Sequence, residues 1–188
     1  MTDKHVEHYV NKIFHENNSG KLEEYFESAQ KVRLENFGEE IRFYAPSFMY
    51  YKTSHYCSSP KEFPTISVTG KGCALNCKHC GGKVLETMYS ATTPERLFKI
   101  CAQIKREGAL GCLISGGCLP NGSVPLGKFI ETIEKVKREL GLTMLVHTGI
   151  INFDTAERLK DAGVDVALID IIGSDETIKE IYNMNVTA

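Results

Sequence analysis

The sequence has no long apolar run. No stretch approaches the roughly 18 consecutive apolar residues that a membrane-spanning helix needs. The polar start, Met1 to His5, lacks the charged-then-apolar order of a signal peptide. We therefore expect a cytoplasmic protein with no membrane partner.

The sequence also lacks an excess of charge of either sign. Its 22 basic and 24 acidic residues give a net charge of −2, so the summed field gives no reason to expect non-specific binding to nucleic acid. Repeats, low-complexity tracts and charge blocks are absent too. With 188 residues, 42% of them hydrophobic, the chain suits one medium domain with a real core, not a disordered tail or two large domains.

Cysteine is the residue in excess. Seven cysteines are a high and odd number for a chain of this length. In a reducing cytoplasm, clustered cysteines indicate metal or redox chemistry more often than disulfides. The cysteines are therefore the first candidates for a functional site.

The beginning of the chain differs in pattern from the rest. Apolar residues at helical spacing predict one helix around Val6 to Phe14 and a second around Leu22 to Val32, with Gly38 after it. We therefore expect an N-terminal extension of helices and loops over residues 1–64 and a core domain over residues 65–188.

From Thr65 onward, short apolar runs alternate with amphipathic helices. The runs are residues 65–69, 110–114, 143–146 and 166–171. The residues suited to begin the helices are Thr93 with Pro94, Asp154 with Glu157, and Ser174. Strands that are apolar on both faces and alternate with helices predict a parallel sheet covered by helices. This pattern fits an open doubly wound sheet and a section of an α/β barrel equally well.

Residues with unusual chemistry follow each predicted strand. They are the cysteine-bearing loop 73–80, the run Ser115-Gly116-Gly117-Cys118, His147 and Asp170. The carboxyl ends of parallel strands meet at one edge of a sheet, where ligands bind in both architectures. The sequence therefore predicts a site at this edge that is rich in thiols, glycine and polar groups.

The strongest motif is Cys73-Ala-Leu-Asn-Cys77-Lys-His-Cys80, flanked on both sides by glycines. Glycine lets such a loop fold tightly and turn its N–H groups toward the sulfurs. Iron–sulfur clusters take thiolate ligands, and a four-iron cluster held by only three thiolates keeps one iron open to a substrate or cofactor. The motif thus predicts a reactive metal centre.

A structural zinc site is the plainest alternative. Zinc accepts three cysteines and one histidine, and His79 lies within the motif. However, His79 directly precedes Cys80, an awkward place to bind the same ion, and most zinc sites pair two separate two-ligand segments. The spacing favours the iron–sulfur interpretation.

These features together resemble the radical S-adenosylmethionine (SAM) superfamily. The resemblance runs from about Thr65 to the end of the chain and rests on the cysteine motif, Ser115-Gly116-Gly117 and Asp170. Within that superfamily, residues 32–38, residues 63–70 and the Asp170 region are similar to the biotin synthase-like branch. More narrowly, Phe43 to Phe48 and Cys73 to Gly82 resemble two-component lipoyl synthase subunits.

The resemblance implies a fold, a partial TIM-type barrel of six βα units. Only four units are recognisable here, and at about 30 residues per unit two more need about 60 further residues. We therefore expect a barrel truncated after its fourth unit, with an N-terminal helical extension. Either a partner subunit completes the barrel, or the chain is a fragment with an incomplete substrate site.

The resemblance also implies a role for individual residues. Cys73, Cys77 and Cys80 would hold a [4Fe-4S] cluster whose fourth iron is chelated by SAM. The SAM contacts would come from His79 beside the adenine, Ser115, Gly116 and Gly117 at the methionyl group, and Asp170 at the ribose. Cys118 replaces an acidic residue frequent in the family. The glycine run is also consistent with a tight turn, Asp170 with a bracing role, and His147 with either a rim or a structural role.

The implied reaction is one-electron reduction of SAM to methionine and a 5′-deoxyadenosyl radical, which abstracts hydrogen from an unactivated carbon. It implies a reduced ferredoxin- or flavodoxin-type electron donor and a substrate that is a small molecule or attached to a carrier protein. No further catalytic residue is identified.

The leading specific activity is sulfur insertion of the lipoyl or biotin type, a sulfurtransferase reaction that uses an auxiliary cluster. Cys57 and Cys118 lie in loops and are candidate ligands for it. Cys112 lies within the second strand, where burial is the default but an inward-facing thiol would contact a second cluster, and Cys101 is expected in the core. The third strand offers no cysteine, which disfavours a biotin synthase of the usual kind but leaves a different auxiliary cluster open. The alternatives are a radical rearrangement or another cofactor-biosynthesis step without an auxiliary cluster, and a non-catalytic metal-bound interaction module.

Overall fold

The computed structural model describes residues 12–13, 15–40, 52–55, 57, 59 and 61–188. The chain divides into two compact units, residues 1–45 and 46–188. The first helix predicted from the sequence, Val6 to Phe14, lies mostly outside the described residues, as does the Phe43 to Phe48 segment. The domain boundary expected at residue 64 stays a prediction.

The first unit contains helix α1, Ser19–Phe37, which is the second helix predicted from the sequence. The side chain of Asn18 caps it by accepting hydrogen bonds from the backbone N–H groups of Gly20 and Lys21. Gly38 ends it with a φ of 66°, a conformation that glycine adopts without strain. None of the residues of α1 is buried.

The second unit is built on an open five-stranded parallel sheet. The strands are β1 Thr65–Ser67, β2 Tyr89–Ser90, β3 Gly111–Ser115, β4 Thr143–His147 and β5 Val166–Leu168, in the spatial order β2-β1-β3-β4-β5. Each pair of neighbours is parallel. Four of the five strands match the predicted apolar runs.

Strand β2 was missed by the sequence analysis. It has two residues, both exposed, and it pairs with β1 through the register Ile66 to Tyr89. A strand without a buried side chain has no apolar run to mark it. Because β2 lies outside β1, the strand order alone fits both a doubly wound sheet and a barrel section.

The helices of this unit pack on one face of the sheet or follow its strands. They are α2 Pro94–Arg106, α3 Ile130–Leu140, α4 Phe153–Asp161 and α5 Asp175–Glu180, with short 3₁₀ helices at Lys83–Thr87 and Gly127–Phe129. Thr93 caps α2 and Ser174 caps α5, as predicted. The predicted start of α4 at Asp154 is wrong. Asn152 caps this helix by accepting a hydrogen bond from the N–H of Thr155 at 2.9 Å, which places Asp154 in the first turn.

The side chains of the sheet alternate between two faces. Cys112 and Ile114 of β3, and Met144 and Val146 of β4, are fully buried in a core shared with α2, α3 and α4. The residues between them, among them Leu113, point to the opposite face. The strands are therefore apolar on both faces, as predicted, but only one face is filled by the helical core.

No helix in the described part of the chain is long and apolar enough to cross a membrane.

Candidate metal and cofactor site

A cavity of about 410 Å³ lies at the carboxyl ends of the strands. All eight residues that the sequence analysis assigned to a metal or cofactor line it. They are Cys73, Cys77, His79, Cys80, Ser115, Gly116, Gly117 and Asp170. The fold therefore brings together loops that follow β1, β3 and β5, while the roles of these residues stay predictions.

The cysteine-bearing loop is wound by its own backbone. The carbonyl of Cys77 accepts hydrogen bonds from the N–H groups of Cys80 and Gly81, at 3.2 and 2.7 Å. Asn76 takes the left-handed conformation with φ of 47°, which asparagine adopts more readily than most residues. This turn places Cys77 inward, where it is buried, while Cys73 and Cys80 are half-buried.

Burial sets the protonation of Cys77. It raises the pKa of the Cys77 thiol, and the neighbouring thiols of Cys80 and Cys73 raise it further. A thiol must lose its proton to ligate a metal. Metal binding at this loop therefore releases protons and weakens as the pH falls.

The loop after β3 packs closely against the cysteine-bearing loop. A side chain on Gly117 would collide with the carbonyl oxygen of Gly72, and its Cβ would lie 2.6 Å from the Cα of Cys73. The N–H of Gly117 donates a hydrogen bond to the hydroxyl of Thr69 at 2.7 Å. Glycine at this position is therefore required by packing. The N–H of Gly117 is thus already paired with Thr69. A ligand with an ammonium group would bind carbonyl oxygens and would not need this donor.

Asp170 lines the cavity beside His147. The distance from Nε2 of His147 to Oδ2 of Asp170 is 3.9 Å, and the Asp170 side chain is 59% exposed. The predicted strand through residue 171 is too long, because β5 ends at Leu168. Asp170 therefore belongs to the loop, where its carboxylate is accessible to a ligand.

Tyr182 and Met184 also line the cavity but were not predicted from the sequence. The ring of Tyr182 lies 4.8 Å from that of His79, measured between centroids. Both residues follow α5 in a segment without strand or helix periodicity, so local pattern gave no signal for them. They close the cavity on the side of the cysteine-bearing loop.

Three of the remaining cysteines lie in different environments, either in the core or at the surface. Cys101 is in the core, as predicted, and Cys112 is buried on the helical face with its Sγ 3.9 Å from Sδ of Met144. The idea that Cys112 faces a second cluster in the cavity is wrong, because its strand position points it away. Cys57 is exposed.

Cys118 is the fourth thiol of the cavity. Its carbonyl accepts a hydrogen bond from the N–H of Ala74 at 2.8 Å, which ties it to the cysteine-bearing loop. Burial, followed by the nearby thiols of Cys73 and Cys77, raises the pKa of Cys118 to about 11.

The donor set fits an iron–sulfur cluster. Among the residues that the structure describes, no three His, Cys, Asp or Glu side chains come close enough together to hold one metal ion. The thiols instead line the wall of a cavity. A [4Fe-4S] cluster takes one thiolate per iron, so its ligands need not meet at one point, and the cavity is bounded by three thiols of one loop.

Comparisons with known proteins show what the chain is similar to. The model of the radical SAM superfamily matches residues 67–188. A biotin synthase of Leptospira biflexa is 33% identical over 98 residues, which is 50% of this chain and 28% of the relative. A 3-methylornithine synthase of Methanosarcina barkeri is 26% identical over 144 residues, covering 77% of this chain and 36% of the relative.

A solved structure resolves the question that strand order left open. The crystal structure of methylornithine synthase matches 94% of this chain and 47% of that protein, with a TM-score of 0.51 and 18% sequence identity. The likeness confirms the expected fold class, an open section of a TIM-type barrel. The matched segment is thus less than half the length of each of these relatives.

Proposed function

The chain belongs to the radical SAM superfamily, and on this basis we propose that it is a member of the biotin synthase-like branch whose cavity binds a [4Fe-4S] cluster and SAM for radical catalysis. The observation that carries the proposal is the convergence of the three motif cysteines, the glycines after β3 and Asp170 on one cavity. Convergence from three loops distinguishes this arrangement from an isolated metal-binding loop.

Cys73, Cys77 and Cys80 hold the cluster in this proposal. The buried position of Cys77 keeps water from the sulfur and makes it the ligand whose loss is felt most. The close contact between Gly117 and Cys73 fixes the loop after β3 against the cluster side of the cavity. The carbonyls of Ser115 and Cys118 already accept hydrogen bonds from the N–H groups of Val68 and Ala74, so the carbonyls of Gly116 and Gly117 would be the ones to accept the ammonium group of SAM.

The ribose and adenine of SAM are assigned to other residues that line the cavity. The exposed carboxylate of Asp170 accepts hydrogen bonds from two ribose hydroxyls, a role that suits its two oxygens. His79 and Tyr182 form an aromatic wall suited to a purine ring. Apolar side chains such as Leu113 and Met184 line the remainder and exclude water.

The bound cluster and SAM together supply one-electron cleavage of SAM to methionine and a 5′-deoxyadenosyl radical for hydrogen abstraction. The protein contributes position and a dry cavity. The electron comes from a reduced ferredoxin- or flavodoxin-type donor in the cytoplasm. The substrate is a small molecule or a group on a carrier protein. A partner subunit beside the open edge of β5 would complete the cavity wall.

Sulfur insertion in lipoyl- or biotin-type cofactor synthesis is the specific reaction we favour, and it makes the protein a sulfurtransferase. Such a reaction needs an auxiliary cluster as its sulfur source. Cys118 is the thiol that supports it, since it faces the cavity beyond the three motif cysteines.

A second candidate is a radical rearrangement or another cofactor-biosynthesis step without an auxiliary cluster. The orientation of Cys112 favours this candidate, because it removes one ligand that an auxiliary cluster in the cavity needs. A non-catalytic metal-bound module remains the alternative from a different class.

Anaerobic iron–sulfur reconstitution tests these three candidate functions. The wild-type chain is compared with Cys77→Ala and with Cys57→Ser, a matched control at an exposed cysteine outside the cavity. We expect at least about four irons per chain, an EPR signal perturbed by SAM and 5′-deoxyadenosine as product. All three are retained in Cys57→Ser, whereas Cys77→Ala loses the irons of the SAM-binding cluster, the SAM-perturbed signal and the product.

The iron count separates the specific reactions. Extra iron that survives Cys77→Ala but not Cys118→Ser supports sulfur insertion. About four irons with SAM cleavage favour the second candidate. One zinc per chain with SAM left intact would reject the enzymatic proposal.

A further inference from the structure

The segment that follows α5 is tied to the cysteine-bearing loop by its backbone. The N–H of Lys78 donates a hydrogen bond to the carbonyl of Ile181 at 2.8 Å. The thiol of Cys77 donates to the carbonyl of Tyr182 at 3.5 Å. These contacts join residues about a hundred positions apart in sequence, so they belong to the tertiary structure and not to a local turn.

The side chain of Asn183 makes the most specific of these contacts. Its amide Nδ2 donates hydrogen bonds to the carbonyls of Leu75 and Asn76, at 2.9 and 3.0 Å. Both partners are acceptors, so only the NH₂ end of the amide satisfies them. One side chain thereby holds two successive carbonyls at the left-handed turn that separates Cys73 from Cys77.

Apolar contacts support the same arrangement. Met184 is 6% exposed and packs in a small cluster with Leu75, Cys77 and Ile178. This cluster is separate from the main core of the sheet and helices. The cysteine-bearing loop therefore depends for its shape on the segment after α5 as well as on β1.

We propose that Asn183 is a positioning residue that holds the cysteine-bearing loop in the shape that receives the metal centre. Without the amide, the half-buried carbonyl of Leu75 and the exposed carbonyl of Asn76 lose their donor, and a loop that carries Gly81 and Gly82 is free to open. The proposal rests on the proposed function only for the identity of the metal centre, since the contacts themselves join residues of this chain.

Two substitutions at position 183 distinguish the effect of the side-chain amide from the effect of the backbone conformation. Asn183 has a φ of 55°, which glycine adopts freely. Asn183→Gly therefore removes the amide without adding strain. Asn183→Asp keeps the size of the side chain but turns its two donors into acceptors that face the two carbonyls.

A matched control is available at Asn121, an exposed asparagine that does not line this cavity. Its Oδ1 accepts hydrogen bonds from the N–H and the hydroxyl of Ser123. Asn121→Asp retains that acceptor, so we expect it to leave the cysteine-bearing loop unchanged.

Alkylation of each cysteine in the 188-residue chain before reconstitution, followed by mass spectrometry, measures how often the loop opens. We expect Asn183→Gly and Asn183→Asp to raise the alkylation rate of Cys77 about five- to tenfold, as the loss of one or two hydrogen bonds implies. The rates at Cys101 and Cys112, which report opening of the core, remain at the wild-type value. Asn121→Asp changes none of them.

Reconstitution gives the second readout. Asn183→Asp is expected to take up less iron than wild type and Asn121→Asp, with a weaker EPR signal after reduction. An unchanged alkylation rate of Cys77 in both Asn183 variants would overturn the proposal. So would an equal acceleration at Cys101 and Cys112, because the amide would then stabilise the whole fold and not the loop.

The two proposals fail in different ways. If wild type binds no iron while the variants still expose Cys77, the proposed function falls and the positioning role stands. If wild type binds iron and the variants behave as wild type, only the positioning role falls.

Discussion

At the scale of single residues, the close approach of two loops at Gly117 constrains the site most tightly. The position has no room for a methyl group, since the carbonyl of Gly72 and the backbone of Cys73 occupy the space. Its φ is not in the left-handed region, so the requirement for glycine comes from packing and not from backbone conformation. A change here moves the first ligand of the metal motif directly.

Gly117→Ala is therefore expected to destabilise the chain by about 1–3 kcal/mol, the usual cost of overpacking, and to lower iron uptake. Urea denaturation and iron analysis after reconstitution measure both effects. Gly127→Ala is the matched control, because nothing lies within 4 Å of the added methyl group. Equal stability and iron content in the two variants would contradict the prediction.

At the scale of elements, Asp165 joins three of them. Its carboxylate accepts hydrogen bonds at 2.7 Å from the ammonium of Lys137 in α3 and from the N–H of Met144 in β4, and it directly precedes β5. Partial burial alone raises the pKa of Asp165, but these hydrogen bonds outweigh it and leave the pKa below its ordinary value.

Asp165→Ala should lower the free energy of unfolding by about 1.5–3 kcal/mol, the range for hydrogen bonds to a charged group. Glu134→Ala is the control, since it removes an exposed ion pair with Arg138 worth about 0.3–0.5 kcal/mol. Urea denaturation at neutral pH compares them. A loss at Asp165 no larger than at Glu134 would contradict the role given to this carboxylate.

The same carboxylate predicts a pH dependence. Because its pKa is lower in the folded chain, its contribution is complete above the ordinary aspartate pKa of about 3.9 and is lost as the pH falls below it. The stability difference between wild type and Asp165→Ala should therefore shrink on acidification. A difference that stays constant down to about pH 2 would exclude this linkage.

Residue type and spacing made most of the helices and strands of the second unit predictable from the sequence. The caps at Thr93 and Ser174 and the four apolar strands follow from residue type and spacing, as does the placement of the metal motif after the first strand. The short β2 was not predictable, because its pairing depends on β1 and not on its own side chains. The cap of α4 was misplaced because Asn152 and Asp154 are both competent caps two residues apart.

The contacts around the metal motif were less predictable. The residues after each strand could be assigned to one edge of the sheet, but Asn183 could not be linked to Leu75, which lies 108 positions earlier. No periodicity connects these segments. Only the folded structure brings the segment after α5, which carries no sequence motif, into contact with the cysteine-bearing loop.

At the scale of the whole molecule, the cavity is lined by loops that are far apart in the sequence of the second unit. A ligand bound there therefore stabilises the folded state against unfolding. A ligand that binds only the folded chain adds free energy according to its affinity and concentration. The stabilisation should appear in the global unfolding transition and not only in the loop.

We therefore expect anaerobic reconstitution to raise the melting temperature of wild type, by about 2–4 °C for each kcal/mol of stabilisation in a chain of this size. Cys77→Ala should show no rise, and removing iron with a chelator should reverse the rise in wild type. Circular dichroism melts before and after reconstitution measure the shift. A melting temperature that does not change while wild type takes up iron would show that the cavity is not coupled to the global fold.

The contact between Asn183 and the motif also orders events during synthesis of the chain. The carbonyl of Asn76 meets its donor only after a further 107 residues have been added, which takes about 5–20 s at usual rates of translation. Throughout that interval the three thiols have left the ribosome without the segment that ties them. We therefore expect delivery of the metal centre to follow completion of this part of the chain, with carriers or reductants protecting the nascent thiols until then.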